Sequence, residues 1–166
     1  MSETLRMRLP LIATGQAQKE VTHNEALTSL DLIVHGSVLD IGRLDPPASP
    51  QEGDAHILGT PTTGAFAGFD SHVAFRVNGA WRFEPPFEGL RLRVRDLAQE
   101  ALFENGLWQT GVIGAARIEI DGKQILGPQR PAIPAPMGGT TVDAEARASL
   151  EAILSALTAH GLIASV

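Results

Sequence analysis

Glu20, His23, Glu25, Asp31 and His35 fall within one short stretch, where they could hold a metal ion or pair a general acid with a general base. On a helix, however, His23 and His35 stand just over three turns apart, about 18 Å. That is too far to share one ion. The chain has no His-Glu-x-x-His pair and no serine set between glycines as a nucleophile elbow requires. It has no cysteine, which removes thiolate nucleophiles, cysteine metal sites and disulfides. Residues 59–68 are rich in glycine and threonine but lack the Gly-Lys-Ser/Thr ending of a phosphate loop. Acidic residues are plentiful, yet no spacing singles out the two carboxylates, about 5–10 Å apart, that glycoside hydrolysis needs. The residues therefore predict no enzyme, no cofactor and no metal. Trp81 and Trp108 are the candidate glycan contacts, because an indole face can stack on a sugar ring. Each lies just past a hairpin turn, where a tryptophan more often packs across the strands.

The elements that would carry these residues can be read in three segments. Residues 1–36 form an arm and a helix. Leu9-Pro10-Leu11-Ile12-Ala13 reads as extended chain, and Thr22-His23-Asn24-Glu25 has the pattern of a capping box opening a helix. Ala26, Leu27, Leu30 and Val34 follow at helical spacing, and Gly36 is the expected stop. Residues 37–126 predict a β-rich body. Asp45-Pro46-Pro47-Ala48-Ser49-Pro50 is a stiff connector, and Ala55-His56-Ile57-Leu58 a short strand. Val73-Ala74-Phe75-Arg76-Val77-Asn78-Gly79-Ala80-Trp81 is echoed by Ala101-Leu102-Phe103-Glu104-Asn105-Gly106-Leu107-Trp108. Both read as a strand, an Asn-Gly type I′ turn and a second strand. Asp121-Gly122 predicts a third hairpin by the same logic. Arg91, Arg93 and Arg95 alternate with Leu92 and Val94, as on a strand with one solvated face. Residues 127–166 predict a proline-rich extended arm and then a helix capped by Asp143 and stopped by Gly161. The fold class is α+β, with small antiparallel hairpins between two helices.

With 43% apolar and 19% charged residues, the chain can bury a core. A net charge of −6 argues against non-specific binding to nucleic acid and against an electrostatic grip on anionic membranes. The N-terminus has no signal-peptide core, and no stretch has the roughly 20 apolar residues needed to span a bilayer. The last helix carries Ala146, Leu150, Ile153, Leu154 and Leu157 in a narrow, heptad-like stripe. A helix this short is marginal alone, so the stripe must pack on its own domain or on copies of itself. The candidate oligomerisation residues are Leu27, Leu30 and Val34 on the first helix and Leu150, Ile153, Leu154 and Leu157 on the last. The arms, residues 5–18 and 127–137, are poorly suited to folding back into one core and are expected to wrap between subunits.

Gly15-Gln16-Ala17-Gln18-Lys19-Glu20-Val21-Thr22-His23-Asn24-Glu25-Ala26-Leu27 resembles the opening signature of a phage-associated family of unknown function found in prophages and gene transfer agents of alphaproteobacteria. Pro46-Pro47-Ala48-Ser49-Pro50-Gln51-Glu52-Gly53-Asp54, Gly64-Ala65-Phe66-Ala67-Gly68, Asn78-Gly79-Ala80-Trp81-Arg82-Phe83 and Asn105-Gly106-Leu107-Trp108 match later pieces in order. Val142-Asp143-Ala144-Glu145-Ala146-Arg147 and Ala159-His160-Gly161-Leu162-Ile163 resemble a recurrent ending of such proteins. The resemblance implies a structural part of a phage-like particle, a head-spike or tail-fibre base or adaptor without catalytic residues. Its expected location is the particle, after synthesis in the bacterial cytoplasm. Its expected partners are copies of itself, the capsid, portal or tail, spike or fibre proteins of the same particle, and a cell-surface polysaccharide under the glycan-binding alternative.

Overall fold

The computed structural model describes residues 3–13, 15, 19–34, 36–138 and 143–165. Its elements are helix α1 (Lys19–Ile33), strands β1 (Ser37–Val38), β2 (Ile41–Arg43), β3 (Ala55–Leu58), β4 (Val73–Val77), β5 (Ala80–Glu84), β6 (Arg91–Val94), β7 (Gln99–Glu104), β8 (Leu107–Thr110), β9 (Ile118–Ile120) and β10 (Lys123–Leu126), and helix α2 (Ala144–Ala159). The class is α+β, with the two helices in the expected places. The chain divides into two compact units, Met1–Val112 and Ile113–Val166. Helix α1 therefore shares a unit with the first two hairpins, while the third hairpin belongs with the proline-rich arm and α2.

The first unit is built from a duplicated sheet. One sheet has the order β2-β3-β4-β5 and the other β1-β6-β7-β8. Each is a three-stranded antiparallel meander extended by one short parallel strand, β2 on β3 and β1 on β6. The expected sheets were purely antiparallel; the parallel pairs arise because residues 37–43 run as one segment that serves both sheets. The duplication extends to single hydrogen bonds. The Gly53 amide donates to the Arg76 carbonyl as the Gly89 amide does to that of Phe103, both at 2.9 Å. Asn78 and Asn105 take positive φ as type I′ turns demand. The turn amides of Asn78 and Gly79 donate to the Glu52 carboxylate at 2.8 and 2.6 Å. Those of Asn105 and Gly106 donate to Glu88 at 3.0 and 3.1 Å. Each repeat thus opens on a Glu-Gly pair whose carboxylate holds the turn between its last two strands.

Both sheets and α1 share one core of Leu32, Val38, Ala55, Ile57, Val73, Phe75, Val77, Leu90, Leu92, Val94, Ala101 and Phe103. Strand β6 buries Leu92 and Val94 and exposes Arg91 and Arg93, as the alternation predicts. Behind the other sheet, Phe66, Phe69, Trp81 and Phe83 pack with Leu58 and Ala74 in a second cluster. Gly36 permits the close approach of α1 to this core. A Cβ there would lie 2.3 Å from Leu92 Cδ2 and 2.6 Å from the Leu32 carbonyl.

Two expectations about the N-terminus are corrected. Thr22 does not open the helix, which already runs from Lys19, and Glu25 instead reaches Arg82 at 3.3 Å. Lys19, Glu20 and Val21 are adequate helix formers, so the pattern of a box is overridden by helix upstream of it. The arm from Leu5 does fold back, at least through Ile12; Gln16 to Gln18 lie outside the described residues. Asp31, almost fully buried, accepts from the Thr4 hydroxyl at 2.8 Å and from the amides of Arg6 and Met7 at 2.9 and 2.6 Å. Asn24 accepts from the Ile12 amide and donates to its carbonyl. Arg6 lies over the Phe75 ring and donates to the Ser37 carbonyl at 2.7 Å. Burial lowers its pKa, an effect partly offset by Asp31. The inward face of α1 is therefore Asn24, Asp31 and Leu32. Leu30 and Val34 are exposed and Leu27 is half-buried.

Removing Asp31 would leave one buried and two half-buried donors without their acceptor. Asp31→Ala is expected to cost about 2–4 kcal/mol in urea unfolding, and Asp31→Asn less, because one acceptor oxygen remains.

Candidate functional site

The second unit differs in kind from the first. Strands β9 and β10 form a two-stranded sheet in which every residue is exposed. The turn has the expected geometry, with Asp121 and Gly122 at φ 50° and 71°. Residues 127–138 form no helix or strand beyond an isolated bridge from Arg130 to Ile163. Asp143 caps α2 by accepting from the Ala146 amide at 2.9 Å. Gly161, at φ 69°, ends it in a Schellman motif, with the Leu162 amide on the Leu157 carbonyl and the Gly161 amide on that of Thr158. The chain after the helix returns to the arm. The Arg130 amide donates to the Leu162 carbonyl and the Ala164 amide to that of Arg130. Arg147 fastens the helix to the arm through the carbonyls of Pro136 and Gly138. Gly139 and Val142 lie outside the described residues.

Backbone hydrogen bonds hold this unit, and little apolar burial does. Ile163 is its one buried large apolar residue among those described. Helix α2 buries none: Leu150 and Ile153 are 48% and 55% exposed, and Leu154 and Leu157 are half-buried. Ile113, Ile118, Ile120, Ile125, Leu126, Ile133 and Met137 are also exposed. So many exposed large aliphatic side chains in one small unit leave it with little hydrophobic stabilisation of its own. The heptad stripe read from the sequence is thus an open surface in the single chain.

The remaining candidates lie elsewhere and are not brought together. Trp81 meets Phe66 edge-on at 5.0 Å between ring centroids, with the Arg76 guanidinium over its ring. Trp108 meets Phe103 at 5.2 Å and donates its indole N–H to the Ser71 carbonyl at 2.8 Å. The echo in sequence is therefore not an echo in environment, since Trp81 belongs to the second cluster and Trp108 to the main core. Of the acidic and histidine residues near α1, Asp31 is committed to the arm, and His35 lies outside the described residues. An open cleft of about 270 Å³ runs between Leu11, Asn24, Glu25 and Arg82. No group of three metal-ligating side chains occurs among the described residues.

One polar cluster went unseen in the sequence. Asp40 sits between β1 and β2, with His56 Nδ1 at 2.7 Å and Arg43 Nε at 2.9 Å. Arg43 Nε is also 3.1 Å from Nδ1, but that nitrogen cannot donate to Asp40 and accept from Arg43 at once. We assign the Nδ1 proton to the carboxylate, the shorter contact. Nε2 is then buried without a hydrogen-bond partner, the ring lying 5.7 Å from that of Trp81. A carboxylate orienting an imidazole is the geometry of a general base. The adjacent open depression, however, is lined by residues 40–45 and not by His56, whose side chain is almost fully buried. The cluster anchors the strand crossing. Burial pushes the Asp40 carboxyl up, but hydrogen bonds from Arg43 and His56 outweigh this and hold it below the usual carboxylate range. A depressed native value stabilises the fold above the ordinary carboxylate pKa and loses that stabilisation as the pH falls through the native value. Asp40→Asn should therefore flatten the acid limb of stability measured between about pH 5 and pH 2.

Comparison with known sequences gives one family. A family model described as "Protein of unknown function (DUF2793)" matches residues 23–109, from within α1 to the middle of β8. No curated protein matches the chain. The match takes in both repeats of the duplicated sheet, and the chain belongs to this family of proteins of unknown function.

Proposed function

We propose that the protein is a structural component of a phage-like particle, a base or adaptor for a spike or fibre. It associates with copies of itself through its second unit and anchors to capsid, portal or tail proteins. It performs no reaction of its own. The supporting observation is the open stripe on α2, where Leu150 and Ile153 stand in water beside Leu154 and Leu157. Burying an aliphatic side chain of this size contributes about 1.5–3 kcal/mol when complete. A few such residues from each of several copies supply what the unit lacks alone. The particle context rests on the resemblance of residues 15–27 and the later motifs to the phage-associated family, and the acidic balance agrees with a partner that is not nucleic acid.

Light scattering tests the reading directly. The wild-type chain should run as a discrete oligomer. Ile153→Glu, at an exposed position, should reduce it to monomer with an unchanged circular dichroism spectrum. A monomeric wild-type chain would overturn self-assembly.

A further inference from the structure

The third hairpin carries a more specific message than the stripe on α2. Each of the other two hairpins receives an antiparallel strand along its first strand: β3 pairs with β4, and β6 with β7. Strand β9 is the first strand of its hairpin, and that same edge is bare, since β10 is its only strand partner among the described residues. An isolated two-stranded ribbon is at best marginal in water. A bare edge presents a row of unpaired amides and carbonyls that invites another strand.

The residues on that edge say which strand fits. Ile120 and Lys123 close the two-residue turn as a hydrogen-bonded pair, so the backbone groups of Glu119, and by alternation those of Arg117, point away from β10. On the side chains, Ile118 and Ile120 share one face, while Arg117 and Glu119 share the other and form an ion pair at 2.6 Å. Arg117-Ile118-Glu119 is thus a charge palindrome when read against itself in the antiparallel sense.

We propose that β9 pairs antiparallel with β9 of a second copy across a twofold axis at Ile118, making a four-stranded sheet in the order β10-β9-β9-β10. This deepens the self-assembly reading and rests on it. In that register Arg117 of one copy faces Glu119 of the other, twice, and both pairs use the outward-pointing backbone groups. Ile118 faces its own counterpart, and Ile120 faces the small Ala116. The neighbouring registers are excluded by charge: centring on Glu119 sets two glutamates opposite each other, and centring on Arg117 sets two arginines. The interface is isologous, the self-complementary type that closes on a pair. It joins the apolar faces of the two ribbons, formed by Ile118, Ile120 and Leu126 from each copy, into one surface. The second unit also suits a copy of itself electrostatically. It holds four basic and five acidic residues, against nine and fourteen in the rest of the chain.

Charge exchange on the full-length chain tests this. Arg117→Glu and Glu119→Arg, made separately, should each weaken self-association at least tenfold in sedimentation equilibrium. An equimolar mixture of the two variants should recover it, because each supplies the charges that the other needs, and so should the double exchange in one chain. Because the chain has no cysteine, Ile118→Cys should yield a disulfide-linked pair on mild oxidation, while Gln124→Cys on the far strand should not. If the wild type is oligomeric and responds to Ile153→Glu but not to either charge variant, the β9 pairing is wrong and assembly through α2 stands. A monomeric wild type removes both.

Discussion

The seven residues from Ser37 to Arg43 hold the first unit together, because they give each of two small sheets its fourth strand. Strand β1 pairs with β6, strand β2 with β3, and only Leu39 and Asp40 lie between them. Neither meander could bury its apolar face alone; joined at this crossing, they enclose a common core. The polar contacts that fix the crossing follow from its geometry. Asp40 stands where the chain passes from one sheet to the other, and Arg43 and the buried His56 hold its carboxylate there. Arg6 reaches the carbonyl of Ser37 at the entry to the crossing, so the N-terminal arm and the strand crossing are one network.

All eight aromatic residues of the chain lie in the duplicated unit. Each repeat uses a Glu-Gly opening, a strand, a hairpin and a carboxylate that neutralises the two free amides of its type I′ turn. The repeats differ where the chain needs a difference. The longer connection after β3 folds back over its sheet and supplies Phe66 and Phe69 to a second cluster. The short connection after β6 leaves the equivalent face of its sheet without such a cover. Trp81 and Trp108, in the same place relative to their turns, consequently serve different packing roles.

The second unit follows the opposite economy. Its caps and turns are well formed, so local backbone geometry is specified without a core to collapse around. Such a unit draws little hydrophobic stabilisation from its own described residues, and under the proposed self-assembly the copies would add it without being needed to form the local structure. The contrast between a closed first unit and a second with little buried apolar surface among its described residues is what the proposed assembly role rests on.

Where the decisive chemistry is local, the sequence determined the outcome. The Asn-Gly and Asp-Gly turns, the Asp143 cap, the Gly161 stop and the alternation along β6 each need only a few neighbouring residues. The α+β class followed from them. Where the decisive partner is distant, the tertiary structure decided. The inward face of α1 sets Asn24 and Asp31 beside Leu32 because part of it receives an arm some 25 residues away, so apolar periodicity pointed to Leu30 and Val34 instead of Asp31 and Leu32. The parallel strands were hidden because two or three residues carry no periodicity. The Glu-Gly pairs at 52–53 and 88–89 were visible in the sequence, but their turns lie 26 and 17 residues on, and only the fold brings them together. The stripe on α2 was legible as apolar, yet whether it was buried depended on the rest of its unit. Only the fold determined that, among the described residues, its unit supplies no core to cover it.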